Sequence, residues 1–215
     1  MPGREPEPPD LVDDIQPALG GSLVDRASLE SVKLSEPQPN PARDVSLSSC
    51  RVNGHTLSAS TLPALRAIDT LFNGADCAGA TWVDARLVRC VFESCKCTGL
   101  DTRGGTLRDV RFHECKMPDA FMPESTLDRV WFESCNITGL DLAGSTLGNV
   151  TVRDCDARGL RLLNTRIAAL DLRGSRIDHL AIEPGSVRHL IIDPLQAPSL
   201  AESLGARVID AGEEL

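Results

Sequence analysis

With 215 residues, a net charge of −9 and 31 acidic against 22 basic side chains, the chain is long enough for one sizeable domain. It is ill-suited to direct nucleic-acid binding through a general basic field. The opening MPGREPEPPD lacks the apolar run of a secretory signal, and no stretch approaches the roughly 18 apolar residues of a membrane span. The eight Cys therefore point to reduced thiols in a cytoplasmic protein with no membrane partner, not to a disulfide scaffold. Arg outnumbers Lys by 19 to 3, a balance that suggests a GC-rich bacterial genome.

In chain order, residues 1–20 read as a flexible, acidic, Pro-rich tail. Residues 21–44 hold two apolar positions per five residues, Ala27/Leu29 and Val32/Leu34, two positions out of phase with the frame of residues 45–195. They predict a partial coil, and then a projecting Pro-rich loop, SEPQPNPAR, over 35–43.

Residues 45–195 repeat. FESCKCTGLD at 92–101 returns as FESCNITGLD at 132–141, an offset of 40. The multiples of five from 90 onward are small or apolar and carry no charge. The residues two positions later are mostly larger and apolar, while the other three columns hold nearly all the charge, Gly, Pro and Asn. A period of five fits neither a helix nor a plain strand. It fits a short extended step and then a turn, with two side chains per step pointing inward. At a spacing of 20, like falls on like: Phe72, Phe92, Phe112 and Phe132 form one column, Cys95, Cys115, Cys135 and Cys155 another, and Leu100, Leu140, Leu160 and Leu180 a third. The period of 20 gives four steps per coil, so 45–195 makes 7.5 coils rising roughly 36 Å at about 4.8 Å each.

Units such as LDTRG, LDLAG (140–144), LDLRG (170–174), CVFES and VWFES resemble the pentapeptide-repeat family, whose unit reads roughly A-[DN]-L-x-x. The resemblance covers about 45–195 and implies an all-β, right-handed, four-sided β-helix. His55, Leu65 and Ala67 fit the frame poorly, and STLPALRAIDT (60–70) is expected to bulge or form a short helical turn. Residues 196–215 are expected to cap the coil, with Pro198 opening a helix, Gly205 stopping it and ARVID (206–210) adding a final strand.

All eight Cys (50, 77, 90, 95, 97, 115, 135, 155) occupy inward positions, where Cys behaves as a small hydrophobe. CKC at 95–97 with Cys77 and Cys115 could be read as a metal cluster, but structural zinc sites use loop-borne pairs, so no metal is expected. His113 lies in the outward column Glu93, His113, Glu133, Arg153 and reads as a surface charge ladder rather than an acid–base device. No phosphate loop, triad or nucleotide fingerprint is present, and neither catalysis nor a cofactor is expected. Trp82 falls on an inward position beneath the small residues Cys97, Thr102 and Gly105. Trp131 and Phe121 fall on outward columns on opposite sides of one coil. They therefore do not form one patch; with Arg111, expected to stack on Trp131, and with Arg108 and Arg129, they are the candidate interaction-surface residues.

The best-known members of the resembled family bind DNA gyrase and confer quinolone resistance, some by mimicking DNA. A mimic needs carboxylates along its sides, because DNA carries about one negative charge per 1.7 Å. Residues 43–195 hold 19 acidic and 18 basic side chains, so the acidity lies in the tails (net −5 over 1–42, −3 over 196–215). One face looks basic, with Arg86, Arg89, Arg108, Arg129, Arg166 and Arg188 against Asp109 and Asp128. The expected function is a non-enzymatic scaffold for a protein partner; topoisomerase modulation, by family analogy, is the alternative.

Overall fold

A computed structural model describes residues 5–11, 23, 26–30, 33–34, 42–54 and 57–209. It is an all-parallel β-solenoid whose strands all join one sheet. In chain order the strands are β1 (Ser28–Glu30), β2 (Lys33–Leu34), β3 (Ser46–Ser48), β4 (Arg51–Asn53), β5 (Arg66–Ile68) and β6 (Leu71–Asn73). Then come β7 (Arg86–Glu93), β8 (Thr106–His113), β9 (Thr126–Glu133), β10 (Thr146–Arg153), β11 (Arg166–Asp171) and β12 (Leu190–Ile191), and a short helix, α1 (Ala197–Ser203). From β3 to β12 every pairing runs at an offset of 20, as in Phe72↔Phe92 and Leu87↔Leu107. The strands β1 and β2 join at an offset of 18, as in Leu29↔Leu47 and Leu34↔Val52. Isolated bridges such as Lys96↔Lys116 and Asp101↔Phe121 mark two further ladders, so the rod has four sides.

The five-residue frame has a conformational basis. Every non-Gly positive φ from Asp44 to His179 falls one residue before an inward multiple of five, as at Asp84 (58°), Glu114 (53°) and Asn164 (56°). That residue turns the corner through the left-handed region, which Asp and Asn tolerate better than most residues and Gly best. Gly104 has a second reason to be Gly, because a Cβ there would collide with Asp84 Oδ1. Where the residue after an inward multiple of five is Asp or Asn, it ties the turn down. Asp76, Asp101, Asn136, Asp141, Asp156 and Asp171 each accept a hydrogen bond through Oδ1 from the backbone N–H two residues on, an Asx turn. The Asp/Asn of the repeat is therefore a turn clamp.

The core is continuous from end to end of the solenoid. Phe72, Phe92, Phe112 and Phe132 stack with ring centroids 4.4, 4.7 and 5.0 Å apart. Trp82 is fully buried, tilted against Phe72 and Phe92, and donates Nε1–H to Ser60 Oγ at 3.0 Å. The leucine column is buried throughout, Leu100, Leu140, Leu160 and Leu180 being at most 2% exposed.

Two expectations from sequence need correction. Leu65 and Ala67 are buried, and 60–70 runs as an ordinary turn and strand with no helix, because Pro63 sits in a tight turn that demands no N–H from it. His55 lies outside the described residues. Residues 206–209 form no strand. Gly205 (φ 87°) turns the chain away after α1, Ala206 N–H closes on Ala201 O at 3.0 Å, and Val208 is exposed. The end of the coil is sealed by Gln196, whose Nε2 donates to Leu172 O and Ser175 O, both at 2.6 Å. Its Oε1 accepts from Asp193 N–H while Asp193 Oδ1 accepts from Leu195 N–H. The last coil keeps its register, Leu170↔Leu190, although one side is replaced by a 3-10 segment, Pro184–His189.

All eight Cys are buried free thiols. Packing alone does not explain them. Cys95, Cys115, Cys135 and Cys155 each place Sγ within 3.5 Å of two carbonyl oxygens, one in the coil below. Cys115 N–H and Cys135 N–H point at the sulfur of the coil above, both at 3.3 Å. Ser125, Ser145, Thr165 and Ser175 use their hydroxyls in the same way, so the inward column selects small donor–acceptor side chains. Burial pushes the Cys90 thiol up to about 12. Hydrogen bonding with Cys135 and burial raise Cys115 and Cys155, and that same pairing favours a thiolate at Cys135. Carbonyl oxygens at 3.1 and 3.4 Å from the Cys135 sulfur repel a thiolate and take an S–H, so the column stays protonated. In native protein all eight thiols should label orders of magnitude more slowly than in denaturant. Rapid native labelling of Cys135, detected by mass spectrometry, would contradict this.

Candidate interaction faces

The corner between two sides of the rod carries a ladder of ion pairs. Arg89 chelates Asp69 with two bonds of 2.6 Å, and Arg129 chelates Asp109 at 2.6 and 2.8 Å while reaching Asp128 at 2.7 Å. Asp69 and Asp109 are only 7% and 4% exposed, so these bonds hold buried charge. The guanidinium beside each aspartate holds its carboxyl below the ordinary 3.8, against the upward push of burial. The folded values lie below the unfolded ones. The stabilisation is therefore complete above about pH 5 and is lost as pH falls through the folded values. Thermal midpoints should drop below about pH 4, and Asp109→Asn should show a smaller drop than wild type. Identical acid profiles would remove this pair from the stability account.

The candidate surface residues end up in different places. Trp131 is half-buried on the side of Val91, Arg111 and Thr151. Arg111 does not stack on it as expected; a carboxylate wins, and Arg111 bonds Glu133 through Nε at 2.7 Å and Nη2 at 2.5 Å. Phe121 is exposed on the opposite side, under the Arg103 guanidinium at 5.2 Å. Arg108 approaches Asp128 at 3.8 Å. Of the expected basic face, Arg89 and Arg129 are neutralised by their aspartates, and Arg188 lies on the 3-10 segment bonded to His189.

Other cations remain unpaired. Arg66 and Arg86 are register partners in adjacent coils, and among the described residues no carboxylate pairs with either. Beside them stack Ile68, 39% exposed, and Val88. With Thr106 and Arg108 they line a shallow depression of about 330 Å³. Arg66, Ile68 and Val88 were missed from sequence. The signal was the column 66/86, where two arginines stack with no acid between them.

His113 Nδ1 lies 2.8 Å from Glu93 Oε1, which raises the imidazole pKa. Glu114, absent from the expected column, joins them and accepts from Ser94 Oγ at 3.2 Å. One ligand atom from each of the three lies within 4.8 Å of the others.

The N-terminal segment expected to be a flexible tail also touches the rod. Glu7 N–H donates to Asp109 Oδ1 at 3.3 Å and Asp10 N–H to Asp69 Oδ1 at 3.0 Å. Ser49 Oγ donates to Asp10 O at 3.3 Å, and Pro6 is buried.

Residues 85–162 match a family model described as a pentapeptide repeat region. No curated protein matches the chain. Among solved structures the chain is similar to HetL, a pentapeptide repeat protein involved in heterocyst differentiation regulation from the cyanobacterium Nostoc sp. strain PCC 7120. That match has 15% identity over 74% of this chain and 76% of HetL, with a TM-score of 0.41. It is also similar to QnrB1, a plasmid-mediated fluoroquinolone resistance protein, at 17% identity over 88% and 100% of the two chains and a TM-score of 0.36. A third is Rfr23, a pentapeptide repeat protein of the cyanobacterium Cyanothece 51142, at 12% identity over 66% and 91% with a TM-score of 0.22.

Proposed function

Because the chain is a pentapeptide-repeat protein, we propose that it acts as a non-enzymatic scaffold that docks a protein partner on one flat side of the rod. Proteins of this family are generally scaffolds without catalytic activity. The observation that carries the choice of side is the unpaired Arg66/Arg86 stack beside Ile68 and Val88. Like charges directly opposite one another destabilise a sheet. A carboxylate from a partner would relieve that repulsion while an apolar side chain covered Ile68. The partner is thus an acidic protein surface with an apolar centre, met in a cytoplasmic, bacterial setting.

The test is co-purification from the native host with wild type and with Arg66→Glu/Arg86→Glu. Wild type should enrich a partner that the double variant loses while its thermal midpoint stays within a few degrees. Equal enrichment by both would move the interface elsewhere. DNA gyrase is the alternative partner, by family analogy. The net −1 of residues 43–195 weighs against a DNA mimic. Purified protein should leave gyrase supercoiling unchanged at low micromolar concentration, and potent inhibition would reverse the ranking.

A further inference from the structure

The contacts of residues 5–11 form a register. Glu7 and Asp10 are three residues apart, and their acceptors Asp109 and Asp69 are two coils apart. Two coils span about 9.6 Å, and three residues of polyproline II cover about 9 Å. The segment therefore runs extended along the rod axis, against the direction in which the coils climb. Its prolines match the track. Pro8 and Pro9 carry no N–H, so no donor is stranded between the two that find carboxylates. The track is also charged to suit, since the Glu7 side chain lies in the field of Arg89 and Arg129. The segment does not fill it. A cavity of about 410 Å³ remains between Glu5–Pro8 and the rod residues Val91, Asp109 and Arg111.

We propose that the corner track Asp69–Arg89–Asp109–Arg111 is a docking groove for an extended, acidic, proline-rich peptide of a partner protein. In the resting chain residues 5–11 occupy it in cis. The rod supplies two buried carboxylate acceptors at a fixed spacing, which select a peptide with two amide donors three residues apart and none between them. A polyproline II ligand loses little conformational entropy on binding, which suits a groove made of few contacts. The tethered segment sets a threshold: a partner peptide must out-compete an occupant already held at high effective concentration. This corner borders the Arg66/Arg86 side but shares no residue with its depression, so either assignment can fail alone.

The experiment uses the full chain and one probe, a fluorescent peptide of residues 1–12. Glu7→Pro/Asp10→Pro deletes both amide donors while keeping the segment extended, and so releases the strap without touching the rod. By fluorescence anisotropy the peptide should bind this double variant at least tenfold more tightly than wild type, whose own strap competes. A peptide carrying the same two prolines should bind neither. In wild type, amide exchange at Glu7 and Asp10 should be at least tenfold slower than at Glu5. Equal binding to both proteins, binding to neither, or unprotected amides at Glu7 and Asp10 would overturn the proposal. A concentration-dependent wild-type dimer that the double variant loses would also overturn it, by assigning the groove to exchange between copies.

Discussion

Leu140→Asp should leave the chain unfolded or partly folded at temperatures where wild type is intact. Leu140 is fully buried in mid-rod, and a lone carboxylate there would be surrounded by apolar atoms. Leu140→Ala should cost about 2–5 kcal/mol, the range for a buried leucine that leaves a cavity. The neighbouring Asp141 gives the contrast. From sequence its replacement is expected to be nearly silent unless its side chain secures the adjoining turn. It does: Oδ1 accepts from Ala143 N–H at 2.9 Å, and Arg161 Nε lies 3.4 Å from Oδ2. Asp141→Ala should therefore cost about 1 kcal/mol, the worth of a turn hydrogen bond with a small ionic addition. Denaturant melts of the three variants check the order. A loss for Asp141→Ala as large as that for Leu140→Ala would mean that the inward frame is misdrawn.

Phe112→Ala should cost about 3–5 kcal/mol. Phe112 is fully buried between Phe92 and Phe132, so truncation removes two ring contacts at once, and neighbours locked in register cannot collapse into the gap. Phe112→Leu should lose less, about 1–2 kcal/mol, because most of the volume stays. Paired with Phe132→Ala, the double variant should deviate from additivity by about 0.5–1.5 kcal/mol, the usual coupling of stacked aromatics. Strict additivity, or a loss below about 1 kcal/mol for Phe112→Ala, would contradict a tightly stacked column.

The rod was legible because side-chain size alone carries its frame. Phe above Phe at every twentieth residue can arise only if coils stack in register, and the offset of 18 between β1 and β3 corresponds to the two-residue phase shift of Ala27/Leu29. What was missed lies outside that signal. Leu65 and Ala67 looked misplaced by size, yet a narrow core trades volume between layers and buries both. By size the cysteines look like filler, whereas Ser175, next in their column, indicates a position that also needs a donor to a carbonyl of the coil below. Charge pairing was harder to see, because Asp69–Arg89 and Asp109–Arg129 neutralise a face that looks basic by composition. The strap was hidden by its own composition: EPEPPDL has the acidic, proline-rich character of a disordered tail, and only the spacing of two buried aspartates gives it a place to lie. The candidate surface was least legible, because exposed side chains answer to a partner and not to the period of five.

The most direct test places a photo-crosslinking residue at Ile68, and in a second protein at Lys116 on the opposite side of the rod, each expressed in the native host. A docking side at Arg66/Arg86 predicts a discrete adduct from position 68 that disappears with Arg66→Glu/Arg86→Glu, and none from position 116. The same adducts from both positions, or none from position 68, would contradict it.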